Sequence, residues 1–227
     1  MFGIYVIAIL FGIIGFLVQN KLRSKVSQYS KMSLRLGLSG KEIAEKMLSQ
    51  NGIYDVKVIS VAGQLTDHYN PAQKTVNLSQ DVYHGRSAIA AAIAAHECGH
   101  AIQHNVAYPL IGFRSSIVPI VNIAGTILPW LLMIGVLFLQ RIPGLLLVAI
   151  AAQALITLFT LVTLPVEFDA SKRALNWMQL QGIVISQEYD AAKDALKWAA
   201  MTYVVAALAA VAQLLYLISK YTSSRRS

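Results

Sequence analysis

The sequence predicts a mainly α-helical integral membrane protein, with four transmembrane helices and an α+β part on the cytoplasmic side. The first observation is composition: 56% of the 227 residues are hydrophobic and 13% are charged, whereas soluble domains average about 45–50% and 25%. The second is a set of four long, uncharged apolar stretches. The third is an uneven distribution of Lys and Arg among the segments between them. A soluble globular protein and a disordered one are therefore both excluded.

Each apolar stretch is long enough to cross a bilayer core of about 30 Å, which needs about 17–25 helical residues. The first has no basic residues before it and no small-residue cleavage site after it, so we interpret it as a retained anchor and not as a signal peptide. The predicted transmembrane helices cover residues 2–18, 117–139, 143–166 and 199–219.

The basic residues predict the orientation of these helices. Of the 19 Lys and Arg residues, 15 lie in residues 19–116 and 167–199, and the other four lie in the turn 140–142 and the tail after Ser219. Because Lys and Arg near the spans favour the cytoplasmic side, we expect residues 19–116 and 167–198 to be cytoplasmic and both termini to be outside. The net charge of +8 then reflects topology. A nucleic-acid partner is not expected, because the aromatic residues are not interleaved with the basic ones.

Two helices are predicted in the first cytoplasmic segment. Ser39 and Glu42 have the spacing of a capping box and predict the start of a short amphipathic helix. Asn51 and the Gly that follows it predict its end. Ser87 caps a second, alanine-rich helix that ends near Asn105.

A small antiparallel sheet of two or three strands is predicted between these helices. Residues 55–62 are rich in β-branched side chains, and residues 74–78 alternate polar with apolar. The dipeptide Asn70-Pro71 between them is a turn signal. The sheet is therefore expected immediately before the alanine-rich helix.

The alanine-rich helix contains His96 and His100 around Glu97, in a His-Glu-x-x-His pattern. Residues four apart on a helix are about 5–6 Å apart at Cβ, so both imidazoles reach one ion at about 2.0–2.1 Å. With five His and five Glu in the chain, chance would produce about 0.002 such patterns. The single cysteine, Cys98, excludes a site built from several thiolates and is expected to serve packing only. The pattern predicts one zinc ion per chain, with Glu97 beside it.

A catalytic zinc site has three protein ligands and one open position, so a third ligand is needed. The metzincin continuation is absent from the sequence, since Gln103 and Val106 stand where it requires Gly and His, and there is no Leu-Asp-Gly triplet of the site-2 protease type. The best candidate is Glu167, where the third span ends, because a carboxylate there is costly to desolvate unless it is paired or bound to a metal. Asp169 is the second candidate, and His104 is the third.

The chain resembles the YugP-type membrane zinc metallopeptidases of bacteria, which are allied to the HtpX-type membrane proteases. The resemblance depends on the histidine pattern together with the spans and three further motifs, and it covers nearly the whole chain. It implies a zincin-like cytoplasmic part and a location in the bacterial inner membrane. The residues that carry it are Leu65-Thr66-Asp67-His68-Tyr69-Asn70-Pro71, Lys74 to Ser79, His96 to Gln103 and Val166-Glu167-Phe168-Asp169-Ala170-Ser171.

The resemblance also implies roles for individual residues. The two histidines of the pattern and Glu167 would be the zinc ligands of a gluzincin-type site, and Glu97 the catalytic carboxylate. The HtpX-type pattern has an Asp four residues after the ligand Glu, where this chain has Ser171. Ser171 and Asp169 are therefore the candidates for orienting a ligand histidine. The candidate donors for oxyanion stabilisation are His84, Tyr83, Tyr108 and Arg173.

Together these residues predict a single membrane-embedded zinc endopeptidase domain over residues 1–227, with metal-activated water and a glutamate general base. The expected partners are membrane-associated protein or peptide substrates and the lipid bilayer. An exposed edge of the strand at 74–78 would hold an extended substrate by strand addition, unless that strand is only part of the sheet. The alternative function is a non-catalytic zinc-stabilised scaffold or adaptor. A metal transporter is not expected, because the spans contain no charged residue.

Overall fold

The computed structural model describes residues 2–138 and 143–224, and most of them are helical. A three-stranded sheet and a very short helix lie between the second and the fourth of the helices. In chain order the elements are α1 (Phe2–Tyr29), α2 (Gly40–Gln50), β1 (Lys57–Val61), β2 (His68–Asn70), β3 (Thr75–Ser79), α3 (Gln80–Tyr83), α4 (Ala88–Asn105), α5 (Pro109–Phe138), α6 (Pro143–Leu180) and α7 (Ser186–Ser224).

Among the described residues, α1, α5, α6 and α7 are long and apolar enough to cross a membrane, which confirms the four predicted apolar spans. The helices continue past those spans. For example, α6 runs to Leu180, so the first part of the polar segment predicted at 167–198 is helical. Leu139, at the end of the second predicted span, and the basic turn 140–142 lie outside the described residues.

The chain divides into two compact units. The described residues of the first unit lie within Met1–Val18, Gly112–Pro165 and Met201–Ser227. Those of the second unit lie within Gln19–Ile111 and Val166–Ala200. All of the predicted ligand and catalytic residues belong to the second unit.

In the first unit, side-chain hydrogen bonds join α6 to α7. The Gln153 amide donates to the carbonyl oxygen of Ala210 at 3.1 Å, and the Thr157 hydroxyl donates to the same oxygen at 3.2 Å. Polar contacts of this kind hold apolar helices together where water is excluded. These buried polar residues therefore join the two helices.

The sheet of the second unit is mixed, so the prediction of an antiparallel sheet was wrong. Its strand order is β1-β3-β2, with β1 parallel to β3 and β2 antiparallel to β3. A tight turn makes β2 and β3 a hairpin, since the Asn70 side chain accepts hydrogen bonds from the amides of Ala72 and Gln73 at 3.0 and 3.1 Å. The remaining edge of β3 pairs with β1. Because β2 reverses the chain between them, β1 and β3 run in the same direction.

The predicted starts of α2 and α4 are confirmed. Ser39 and Glu42 form a reciprocal capping box at α2, and the Ser87 hydroxyl accepts a hydrogen bond from the Ala90 amide at 3.3 Å at the start of α4. These contacts satisfy backbone amides that have no partner within the helix. The capped helix α4 is the element that positions the candidate site.

Cys98 lies on the buried side of α4, as expected for a packing residue. Its Sγ donates to the carbonyl oxygen of Ala44 in α2 at 3.6 Å. Burial, together with the neighbouring Glu97 carboxylate, raises the pKa of the thiol. A reactive thiolate is therefore disfavoured at this position.

Candidate metal centre

Helices α4 and α6 approach each other closely where the predicted zinc ligands lie. Gly99 permits this approach, because a Cβ atom there would lie 2.7 Å from the backbone oxygen of Ala170 in α6. On α4, His96 and His100 lie one turn apart around this contact, and α6 presents Glu167 on the facing turn. The small residues therefore bring two imidazoles and a carboxylate to one place.

The three donor atoms have the spacing of zinc ligands. Nε2 of His96 and Nε2 of His100 lie 3.4 and 3.5 Å from Oε2 of Glu167, and one donor atom from each residue lies within 4.8 Å of the others. Ligand atoms in a tetrahedron at about 2.0–2.1 Å from zinc are about 3.3–3.4 Å apart. The donor set and its spacing therefore fit zinc.

Electrostatics at His100 also suit a cation. Burial alone would lower the pKa of His100, but the hydrogen bond to Glu167 and the charge of Glu97 outweigh it and raise the pKa. The two carboxylates thus stabilise positive charge at the imidazole. A divalent ion bound by the same donor atoms would take the place of that proton.

Each histidine has a hydrogen-bond partner at its second ring nitrogen. Nδ1 of His96 lies 3.1 Å from the hydroxyl of Ser171, and Nδ1 of His100 lies 3.0 Å from the side-chain oxygen of Gln103. When Nδ1 carries the proton and donates it, Nε2 keeps its lone pair for a metal. The Gln103 oxygen can only accept, so it favours this tautomer at His100, and the Ser171 hydroxyl allows the same tautomer at His96.

Gln103 links α4 to the segment of α6 that carries the third donor. Its side-chain amide donates to the carbonyl oxygen of Val166 and to Oδ2 of Asp169, both at 2.8 Å. Arg173 in turn donates from Nε to the same Asp169 oxygen at 2.6 Å. Gln103 is fully buried. One side chain therefore holds both the His100 ring and the backbone next to Glu167.

Glu97 is buried and faces strand β2. The backbone amide of Tyr69 in β2 donates to Oε2 of Glu97 at 3.0 Å. The start of β2 is held in turn by Asp67, which accepts hydrogen bonds from the amide and hydroxyl of Ser79 at 2.8 and 3.1 Å. Burial raises the pKa of Asp67, although the hydrogen bonds from Ser79 oppose the shift. Strand β2, whose start Asp67 anchors to β3, therefore sets the position of the Glu97 carboxylate.

Comparison with known proteins identifies the family of the chain. The family model described as "Putative neutral zinc metallopeptidase" matches residues 4–222. The chain belongs to this family of zinc metallopeptidases. It is also 38% identical over 213 residues to "Putative membrane protease YugP" of Bacillus subtilis (strain 168), which covers 93% of each chain. No solved structure matches.

Membership of the zinc metallopeptidase family confirms the resemblance drawn from the motifs. The four apolar helices and the name of the relative identify a multi-pass membrane protein. The family name agrees with zinc as the metal of the three-donor group. The individual roles of the donors stay predictions.

The two alternative third ligands do not belong to the three-donor group. Asp169 is held by Gln103 and Arg173. The ring of His104 lies 5.4 Å from the ring of Tyr69. As candidates for orienting a histidine, Ser171 contacts His96 directly, and Asp169 reaches His100 only through the intervening glutamine.

The candidate oxyanion donors lie at several places in the second unit. His84 is exposed at the end of α3, and its ring contacts Tyr83 at 4.9 Å. Tyr108 follows α4, and Arg173 is paired with Asp169. No described contact joins the side chains of His84, Tyr83 or Tyr108 to the three donors. Their role in oxyanion stabilisation stays a prediction.

The structure corrects the expected substrate edge at residues 74–78. Strand β3 occupies this segment and is the central strand, with β1 on one side and β2 on the other. Its backbone groups are therefore already paired, and an added strand has no free edge there.

Sequence reasoning missed two residues of the centre. The sequence marks Gln103 as a position that excludes metzincins and as the end of a motif, and Tyr69 as part of another motif, but it assigns neither residue a role in the centre. A local signal existed for Gln103, because residues three apart on a helix share a face and Gln103 follows His100 by three. No local signal existed for Tyr69, since its contact with Glu97 is made by a backbone amide between distant segments.

Proposed function

We propose that the protein is a membrane-bound zinc endopeptidase of the gluzincin type. His96, His100 and Glu167 bind one zinc ion, and Glu97 is the general base. The observation that carries this proposal is the spacing of the three donor atoms, which matches that of tetrahedral zinc ligands. The family and the name of the Bacillus subtilis relative support peptide hydrolysis as the reaction.

The proposed mechanism assigns a task to each side chain of the centre. Zinc held by His96, His100 and Glu167 would supply the Lewis acid that polarises the peptide carbonyl and activates a water. Glu97 accepts a proton from the water and delivers it to the leaving amine. The Tyr69 amide donates to Oε2 of Glu97 and leaves Oε1 to take the proton. Gln103 accepts from Nδ1 of His100, Ser171 contacts Nδ1 of His96, and both contacts keep the rings in place.

The proposed place of action is the cytoplasmic face of the bacterial inner membrane, in a zincin-like part of the chain, with both termini outside. The distribution of basic residues supports this orientation, since 15 of the 19 lie in residues 19–116 and 167–199. Glu167 follows directly after the predicted span at 143–166. Substrates that are membrane proteins, or that lie at the membrane surface, would therefore meet the centre most readily.

The purified protein is expected to contain about one zinc ion per chain and to cleave casein, because the three-donor group supplies a complete ligand set. Removing the metal with dipicolinate should abolish cleavage, and adding zinc back should restore it. Metal content by mass spectrometry and cleavage of fluorescein-labelled casein are measured on the same preparation. Bound zinc without cleavage of casein or of solubilised membrane proteins would favour the scaffold alternative, and absence of zinc would contradict the proposal.

The orientation is tested with two variants, each of which carries one introduced cysteine. Tyr54→Cys introduces a thiol in the loop before β1, where the residue is 82% exposed, and Ser223→Cys introduces one at the exposed end of α7. The native Cys98 is buried and does not interfere. A membrane-impermeant maleimide added to spheroplasts is expected to label Ser223→Cys at once, but Tyr54→Cys only after the membrane is opened. The reverse pattern would overturn the orientation.

A further inference from the structure

A groove with a volume of about 970 Å³ lies in the second unit, between the end of α1 and the start of α4. Its α1 wall includes Arg23, Val26 and Ser27, and its α4 wall includes Ile89 and Ile93. The volume is at the upper end of the range of about 300–1,000 Å³ that is usual for ligand pockets.

The groove adjoins the candidate metal centre along α4. Within residues 88–100, the side chains of Ile93 and His96 are partly exposed and all the others are buried. Ile93 lines the groove, and His96 is one of the three donors. The two positions are about 4.5 Å apart along the helix axis, at 1.5 Å per residue. The accessible face of α4 therefore runs from the groove to the metal centre.

The loop before β2 provides a second connection. Gln64 and Leu65 line the groove, and four residues after Leu65 the amide of Tyr69 contacts Glu97. The side chain of Leu65 is 40% exposed. Two separate segments, α4 and the loop, therefore lead from the groove to the groups that would perform hydrolysis.

The shape and chemistry of the groove suit an extended polypeptide. Its α1 wall runs from Gln19 to Ser27, about 12 Å of helix at 1.5 Å per residue, which is the length of about four residues of extended chain. Apolar side chains of Val26, Leu65 and Ile93 lie among hydroxyl and amide groups. Such a surface binds an aliphatic side chain and offers hydrogen bonds to the adjoining backbone.

We propose that this groove binds the polypeptide substrate in an extended form next to the metal centre, and that α1 is part of the substrate-binding surface. The proposal rests on the peptidase function proposed above. It adds the place where the substrate lies, and it predicts a preference for segments with an aliphatic side chain. The peptide bond to be cleaved then lies beyond Ile93, towards His96.

Two serines of α1 allow a matched kinetic test. Ser27 lines the groove, whereas Ser24 is exposed on the same helix and does not line it. Ser27→Trp is expected to raise KM for fluorescein-labelled casein by about tenfold or more, with kcat little changed, because it removes binding common to the ground and transition states. Ser24→Trp should leave both constants unchanged, and both variants should keep their zinc. Equal KM values in the two variants would overturn the proposal.

A photo-crosslinking experiment separates failure of the groove from failure of the peptidase function. A benzophenone amino acid replaces Ser27 in one variant and Ser24 in the other, both in the Glu97→Gln background, and labelled casein is added before irradiation. Crosslinking is expected at Ser27 and not at Ser24. If the wild type does not cleave casein but the Ser27 variant crosslinks, the proposed peptidase function is wrong and the proposed binding groove is supported. If cleavage occurs and crosslinking is equal or absent at both positions, the groove proposal is wrong.

Discussion

Glu97→Gln is expected to slow casein hydrolysis by about 10²- to 10⁴-fold, the usual contribution of a general base, while the protein keeps its zinc. Glu97 does not belong to the three-donor group, so the substitution removes no donor atom from the metal. Glutamine has nearly the same shape, and its carbonyl oxygen still accepts the hydrogen bond from the Tyr69 amide. It cannot take up a proton from water. Initial cleavage rates and metal content are measured on the same samples.

Glu188→Gln is the matched control for this substitution. Glu188 is 3% exposed and Glu97 is 8% exposed, so both are buried carboxylates. Glu188 accepts hydrogen bonds from the amides of Arg35 and Ile185 at 2.6 and 2.9 Å, and it lies on α7. This variant is expected to cleave casein at the wild-type rate. Wild-type activity in Glu97→Gln would rule out Glu97 as the general base. Loss of zinc from this variant would show that Glu97 binds the metal.

Apart from the apolar spans, the parts of the protein that could be predicted from the sequence depend mainly on residues within one helical turn of each other. The caps at Ser39 and Ser87 bond to backbone amides three residues away, and the histidine pair has the spacing of adjacent turns. Glu167 lies far from that pair in the chain and was found by a different argument. A carboxylate at the end of an apolar span is unfavourable without a partner, and the structure places two imidazoles beside it.

Contacts between distant segments could not be predicted in the same way. The patterns at 55–62 and 74–78 predict strands, but alternation does not determine which strand is a neighbour or in which direction it runs. The hairpin between β2 and β3 decides both, and it makes β3 the central strand. Gln103 is a similar case, because the groups to which its amide donates lie on α6.

The second large effect is expected on zinc affinity, when Gln103 is substituted. Gln103→Leu keeps the approximate size of the side chain but removes its carbonyl oxygen and its amide. Nδ1 of His100 then has no acceptor, and the carbonyl oxygen of Val166 and the carboxylate of Asp169 lose a donor. Removing a residue that orients a metal ligand usually weakens metal binding by about 10- to 100-fold. The expected result is a rise of that size in the zinc Kd, measured by competition with a fluorescent chelator.

A control must separate this positioning role from a general loss of stability, because any buried polar group that loses its partner destabilises the fold. Gln153→Leu provides it: Gln153 is 1% exposed, Gln103 is 0% exposed, and the amide of each donates to a backbone carbonyl of another helix. Both variants should lower the temperature of thermal unfolding in detergent, but Gln153→Leu should leave the zinc Kd unchanged, since its contacts lie between α6 and α7 in the first unit. A zinc Kd for Gln103→Leu equal to that of Gln153→Leu would mean that Gln103 stabilises the fold without orienting His100. A selective loss of affinity would instead show that the metal centre depends on the hydrogen bond between Gln103 and His100.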